Sequence, residues 1–209
     1  MIQRPSKIIC VGRNYGAHAA ELGNVVPERP LLFFKPPSSV IGDGDLIELP
    51  RASRQVEHEG EIGVVIGATL RRAPESAVLE AVRGITCVND VTARDLQRVD
   101  DQWARAKGFD TFCPVGPRVV ELSALPPVEE LEVICRVNGE ERQHGYVRDM
   151  TFGLAHILSY VSHIMTLEPG DLVATGTPAG VGPLGPGDRV EVEIPGVGVL
   201  SNPVVEEPS

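Results

Sequence analysis

No apolar run in this chain approaches the roughly 18 residues that a membrane-spanning helix needs, so no helical membrane anchor is expected. Basic charge is also scarce. Lys and Arg number 19 against 29 Asp and Glu, a formal net charge of −10. The clustered cations that neutralise nucleic-acid phosphates are missing, and a nucleic-acid partner is not expected. Met1–Lys7 lacks the apolar stretch of a signal peptide, so the expected location is cytoplasmic. Cys10, Cys87, Cys113 and Cys135 form no C-x-x-C pair and read as buried free thiols. A catalytic role for Cys113 has no neighbouring feature to support it. There is no G-x-S-x-G, which argues against the usual serine-hydrolase elbow. Gly180–Gly185 matches G-x-G-x-x-G, but Pro183, Pro186 and the strand expected at Arg189–Ile194 forbid the helix that a dinucleotide site needs. His58-Glu59-Gly60-Glu61 lacks the second His of a zinc-protease motif.

What is present is a chain of 209 residues, the size of one ordinary domain, 42% hydrophobic. Gly at 22 and Pro at 18 are abundant; their share is about 19% against a usual value of about 12%. They are spread between apolar runs and read as turn punctuation in a strand-rich fold. Strands are expected at Lys7–Val11, Leu31–Lys35, Leu46–Leu49, Gln55–Ile66, Gly84–Asn89 and Leu172–Ala174. Helices are expected from an Asn14 cap to Gly23, at Glu75–Val82, from a Thr92 cap to Trp103, and at Thr151–Ile164. Leu131–Val137, Asn138-Gly139 and Glu140–Gln143 form the clearest hairpin, because Asn-Gly suits a type I′ turn. Gly170-Asp171 and Gly187-Asp188 each open a strand. The mixture predicts a mainly β, α+β chain.

Glu57, Glu59 and Glu61 alternate, which places them on one strand face. Such a face is either solvated or gathered around a cation. The apolar continuation Ile62–Ile66 takes the strand into a core, where carboxylates need partners. Asp90, at the end of the next apolar strand, is a candidate third ligand beside Glu59 and Glu61. An all-oxygen set favours Mg²⁺, Mn²⁺ or Ca²⁺ over Zn²⁺. His18 and Glu21 share a helix face, either as a surface ion pair or as a base with its orienting carboxylate. Lys107 alone reads as a solvated lysine. Thr175-Gly176-Thr177-Pro178 is either a plain turn or a carboxylate-binding turn. His144, His156 and His163 have no ligand spacing.

Five blocks in order, Leu32–Pro36, His58–Gly63, Asn89–Asp95, Arg105–Asp110 and Thr175–Pro178, together with Val11–Tyr15 and Asn202–Val205, resemble the fumarylacetoacetate hydrolase family in its short single-domain branch. That branch holds acylpyruvate hydrolases, oxaloacetate decarboxylases and 2-hydroxyhepta-2,4-diene-1,7-dioate isomerases. The resemblance implies a mainly β roll of mixed sheets with a few short helices, one catalytic domain over residues 1–209, and a homodimer. It implies Mg²⁺ or Mn²⁺ on Glu59, Glu61 and Asp90, with Glu57 not a ligand. It implies that His18 and Glu21 lie on a lid, about residues 14–24, and order a catalytic water. Lys107 holds substrate or developing charge, Arg94 and Gln97 lie near substrate, and Thr177 grips a carboxylate. Relatives often have Thr-Ser where this chain has Val147-Arg148, a change that matters only if the segment reaches the pocket.

The implied chemistry is that of a small 2-oxo acid chelating a cation while an enolate forms at C3. The first expectation is a metal-dependent hydrolase or decarboxylase that cleaves a C–C bond in acylpyruvates or oxaloacetate. The alternatives are an isomerase or decarboxylase of the heptadienedioate type, or a non-catalytic metal-binding β protein.

Overall fold

The computed structural model describes residues 4–21, 23 and 25–208. Positions 22 and 24 of the expected lid, and the first three residues of the leader reading, lie outside the described residues. In chain order the strands are β1 (Ile8–Gly12), β2 (Leu31–Lys35), β3 (Val40–Ile41), β4 (Ile47–Leu49), β5 (Val56–His58), β6 (Gly60–Ile66), β7 (Val82–Asn89), β8 (Thr92–Ala93) and β9 (Cys113–Val120). They continue with β10 (Glu132–Val137), β11 (Glu140–Tyr146), β12 (Leu172–Ala174), β13 (Gly182–Pro183), β14 (Arg189–Ile194) and β15 (Gly198–Glu206). The α-helices are α1 (Gly16–Glu21), α2 (Glu75–Val78), α3 (Arg94–Val99), α4 (Ala104–Gly108) and α5 (Leu154–Ile164).

Three sheets result, ordered β2-β1-β12-β6-β7-β9-β3, β11-β10-β14-β15-β4 and β13-β5-β8. The pairs β1–β12, β3–β9 and β4–β15 are parallel and the rest antiparallel, which is the expected mixed, mainly β architecture. The main core lies between the two larger sheets. Ile62, Val64 and Ile66 of β6 meet Val133 and Cys135 of β10 and Val190, Val192 and Ile194 of β14 in one buried cluster. Period-two alternation turns Glu61, Gly63 and Val65 to the opposite face. There Val65 joins Cys10, Val88, Cys113 and Leu172 in a second cluster. A Cβ on Gly63 would stand 2.5 Å from a methyl of Val88, so the bare glycine lets β6 and β7 close up beneath Glu61. All four cysteines are buried free thiols. Burial pushes the Cys113 thiol up to about 12, so it stays protonated and gives no nucleophile.

The hairpin turn is as expected, with Asn138 at φ 54° and Gly139 at φ 81°. Four other expectations change. Asn14 does not cap α1: its amide donates to Phe152 O and Thr175 O, and its Oδ1 accepts from Phe152 N. The helix expected from Thr92 to Trp103 forms only over Arg94–Val99, as α3; α4 begins after it, at Ala104, and Thr92 belongs to β8. Its hydroxyl donates to the Asp90 carbonyl, and its oxygen does not accept from the N–H groups of a helix N-terminus as a cap would. The long strand expected over Gln55–Ile66 is interrupted at Glu59. The helix expected over Glu75–Val82 keeps α-form only to Val78 and ends in a 3₁₀ turn at Leu79–Ala81. In α5, Leu154, Ile157, Leu158 and Val161 face the core as expected, whereas Ile164 at its end is exposed. Among the described residues no helix is long and apolar enough to cross a membrane.

Candidate active site

The break at Glu59 is held open by main-chain bonds. Glu59 N donates to Asn89 Oδ1 at 3.0 Å, and Asp90 N donates to Glu59 O at 2.8 Å. Gly60 N donates to Gln143 Oε1 at 2.9 Å. A Cβ at Gly60 would lie 2.9 Å from Cys135 Cβ, so only glycine allows the chain to bend here against β10. The bend carries Glu57, Glu59 and Glu61 inward. None is more than 6% exposed, which excludes the solvated-face reading.

Buried carboxylates need cations, and three arrive from separate elements. Arg94, opening α3, donates from Nε to Glu57 Oε2 at 2.7 Å, from Nη2 to Glu59 Oε1 at 2.5 Å, and from Nη1 to Gln97 Oε1 at 2.5 Å. Lys107 on α4 donates to Glu59 Oε2 at 2.8 Å and Asp90 Oδ2 at 2.6 Å. Lys35, ending β2, donates to Asp90 Oδ1 at 2.6 Å and Val91 O at 3.0 Å. Burial alone would raise the pKa of Glu59, but Lys107 and Arg94 outweigh it and hold the carboxyl well below its usual range. Burial opposes the Lys107 charge, yet Asp90 and Glu59 keep its pKa above the usual lysine value. Glu61 goes the other way. Its burial, and the charges of Asp90 and Glu59 beside it, raise its pKa well above the usual carboxylate range.

Oxygen atoms of Glu59, Glu61 and Asp90 lie within 4.8 Å of one another. Glu61 Oε2 accepts from Gly176 N at 2.8 Å, and among the described residues no Lys or Arg pairs with it. Four buried carboxylates, counting Glu57, therefore face three cations. A buried all-oxygen cluster with one carboxylate left over is a donor set that fits a hard divalent cation. Glu57 turns to Arg94 and is not one of the three clustered carboxylates.

His18 and Glu21 lie on α1. His18 is 5% exposed, and its Nδ1 stands 3.3 Å from Glu21 Oε2. The Glu21 carboxylate also accepts from Gly180 N, at 3.1 and 3.2 Å. The pair is thus fastened to the turn after Thr177 and is not a free surface pair. All nine residues singled out from the sequence, His18, Glu21, Lys107, Arg94, Gln97, Thr177, Glu59, Glu61 and Asp90, line one cavity of about 450 Å³. Thr177 differs in detail. Its hydroxyl donates to Gly60 O at 2.9 Å and accepts from Gln143 Nε2 at 2.7 Å, so its proton is already engaged. Lys35 was not expected as a site residue, because a lysine closing an apolar strand reads as a solvated end. Arg13, Arg98, Phe33 and Trp103 also line the cavity and carry no sequence signal of their own. Val147 and Arg148 do not reach it: Val147 is buried, and Arg148 stacks on Tyr146 with its guanidinium carbon 3.7 Å from the ring centroid.

Residues 7–205 match the family model described as fumarylacetoacetate (FAA) hydrolase C-terminal. An oxaloacetate tautomerase of Bacillus subtilis is 43% identical over 214 residues, covering 97% of this chain and 71% of the relative. A mitochondrial oxaloacetate tautomerase of Arabidopsis thaliana is 42% identical over 201 residues, covering 94% and 90%. The crystal structure of a 2-hydroxyhepta-2,4-diene-1,7-dioate isomerase from Mycobacterium marinum superposes with a TM-score of 0.89 at 41% identity, covering 99% of this chain and 77% of that one.

Proposed function

Because the chain belongs to the fumarylacetoacetate hydrolase family, we propose that it is a divalent-metal-dependent enzyme moving a proton at C3 of short 2-oxo dicarboxylic acids, with keto–enol interconversion of oxaloacetate as its main reaction. The observation that carries this reading is the buried His18, held by Glu21, opening onto the same cavity as the carboxylate triad. The relatives named as oxaloacetate tautomerases support proton transfer as the chemistry.

Glu59, Glu61 and Asp90 would hold Mg²⁺ or Mn²⁺, which when bound supplies positive charge for the oxygens of a 2-oxo acid. Glu21 accepts from His18 Nδ1–H, leaving the Nε2 lone pair to take a proton from C3 of the keto form. The enolate oxygen then takes a proton from solvent to give the enol, and the reverse path releases that O–H proton to solvent as His18 returns its own to C3. Lys107 contributes a fixed ammonium at the edge of the triad, where negative charge grows on the enolate oxygen. Arg94 and Gln97 line the pocket beside it, with Arg94 holding Glu57 and Glu59 in place. Docking of α1 through the Glu21–Gly180 bond acts as the lid and limits water around the exchanging proton. Hydrolytic or decarboxylating cleavage passes through the same enolate and is the second reading, favoured by the capacity of His18 to activate water. The proposal takes residues 1–209 as one catalytic domain working as a homodimer, which light scattering checks.

The deciding experiment supplies the enol of oxaloacetate to Mg²⁺-loaded protein and follows loss of enol absorbance alongside pyruvate release. Enol loss outpacing pyruvate release at least tenfold is the expected outcome. Pyruvate released as fast as enol is consumed would sink the tautomerase reading in favour of cleavage.

A further inference from the structure

Four cationic side chains line the cavity, and three of them are tied to protein acceptors. Arg94 and Lys107 hold carboxylates, and Arg98 donates to Gln55 Oε1 at 3.1 Å. Arg13 differs. Among the described residues it has no hydrogen-bond or ion-pair partner, and its guanidinium carbon lies 6.0 Å from the ring centroid of Trp103. Its backbone sits at φ 57°, a conformation uncommon for a residue with a long side chain. The neighbours explain the turn. Gly12 is still paired to Leu31 in the sheet, and Asn14 is fixed by three hydrogen bonds to Phe152 and Thr175. The single residue between them absorbs the change of direction. Trp103 presses so close that a Cβ on Gly12 would stand 3.0 Å from its ring. Arg13 is therefore held in strain over an aromatic platform at the cavity wall, a placement that marks functional positions.

A second observation points to what it binds. Two other groups that could take a second carboxylate are engaged: the Thr177 proton is on Gly60 O, and the Gly176 N–H is on Glu61. A half-buried guanidinium without an anion offers a planar fork matched to a carboxylate. We propose that Arg13 binds the distal carboxylate of the 2-oxo dicarboxylate and sets the preference for diacids over monoacids. This rests on the reaction proposed above and extends it to substrate choice.

The test compares oxaloacetate with its 4-methyl ester, which keeps the reacting carbons and removes the distal charge. Wild type and Arg13→Asn are assayed for tautomerisation; asparagine accepts the left-handed backbone, so the variant loses the charge without losing the turn. The ratio of kcat/KM for diacid over ester is expected to fall at least fivefold in the variant, chiefly through KM for the diacid. A ratio that moves less overturns the proposal, whatever happens to the absolute rates. If wild type turns over neither compound, the reaction reading fails and binding decides the role of Arg13. Calorimetry with Mg²⁺ then compares oxalate, which has no carboxylate beyond the chelating pair, with 2-oxoglutarate. Selective weakening of 2-oxoglutarate in Arg13→Asn, at least fivefold beyond oxalate, sustains the role. Equal effects on both ligands, or no binding of either to wild type, end it.

Discussion

Lys35 donates to Asp90 at 2.6 Å, and neither side chain exposes any surface. The pair ties the end of an apolar strand in one part of the sheet to the carboxylate that terminates β7 in another. Its partners make Asp90 a structural anchor as well as a candidate ligand. Glu61, a few ångströms away, has no such partner, and the two carboxylates respond differently to neutralisation.

Asp90→Asn leaves Lys35 and Lys107 facing an amide. Breaking a buried pair in this way costs about 3–5 kcal/mol. Glu61→Gln removes the carboxylate that lacks a cation, so stability in the presence of a chelator is expected to hold or rise. Urea unfolding with EDTA checks both; a Glu61→Gln protein destabilised as much as Asp90→Asn would refute the contrast. Adding Mg²⁺ should raise the Tm of wild type and fail to raise that of Glu61→Gln. At about 100-fold excess over Kd, a ligand specific to the folded state adds about 2.7 kcal/mol.

His18→Ala removes the proton carrier without touching the triad. The expected loss in kcat for tautomerisation is about a hundred- to ten-thousand-fold, while Mg²⁺ affinity measured by calorimetry stays within twofold. A matching loss of Mg²⁺ affinity would place His18 in the metal site and not in proton transfer.

How much of this was visible in the amino-acid string differs from residue to residue. The alternation of Glu57, Glu59 and Glu61 before Ile62–Ile66, and the Asn138-Gly139 turn, are local signals, and local geometry follows them. Asn14 and Thr92 look like helix caps because caps are what such residues do when the nearest free backbone groups are local. Thr92 turns back to the Asp90 carbonyl two residues away, while the carbonyls that take Asn14, from Phe152 and Thr175, are brought in from far along the chain and nothing nearby in sequence announces them. Lys35 was hidden for the same reason: its partner lies 55 residues away. Arg13 depends on a backbone twist that only the pairing of Gly12 and the anchoring of Asn14 impose.

Asp171 supplies a pH test away from the cavity. Its side chain is buried and accepts from Ser6 Oγ at 2.6 Å and Glu168 N at 2.8 Å, with Lys7 Nζ at 2.5 Å. Burial would raise its pKa, but the bonds from Lys7, Ser6 and Glu168 prevail and lower it below the usual aspartate value. A depressed folded-state pKa stabilises the protein above the unfolded value, and the benefit disappears as pH falls through the folded one. Asp171→Asn should therefore cost about 2 kcal/mol at pH 7, with the gap from wild type closing below about pH 4. Urea midpoints across pH would show it; a gap that widens in acid would contradict the assignment.

Gly180 is the donor that fastens Glu21, at φ 101°. A Cβ there would overlap the Arg142 carbonyl. Gly180→Ala should displace the turn, release α1 and lower kcat at least tenfold, with faster proteolysis at α1 as the second readout. Unchanged kcat would mean that α1 docks without this bond.

The parallel pairing of β1 with β12, Ile8 beside Leu172, has a consequence for how the protein is made. On the ribosome β1 emerges well before β12, and one edge of Ile8–Cys10 has no neighbour until the chain has been extended past residue 174. At about 5–20 residues per second that interval lasts roughly ten to thirty seconds. Throughout it an apolar edge stands open to other nascent chains. His18 follows β1 and Thr177 follows β12, so the two walls of the cavity meet only when that interval closes. Ribosome-arrested chains ending before β12 should be cut by protease within β1, and chains extended beyond it should be protected; early protection would show that β1 finds shelter elsewhere.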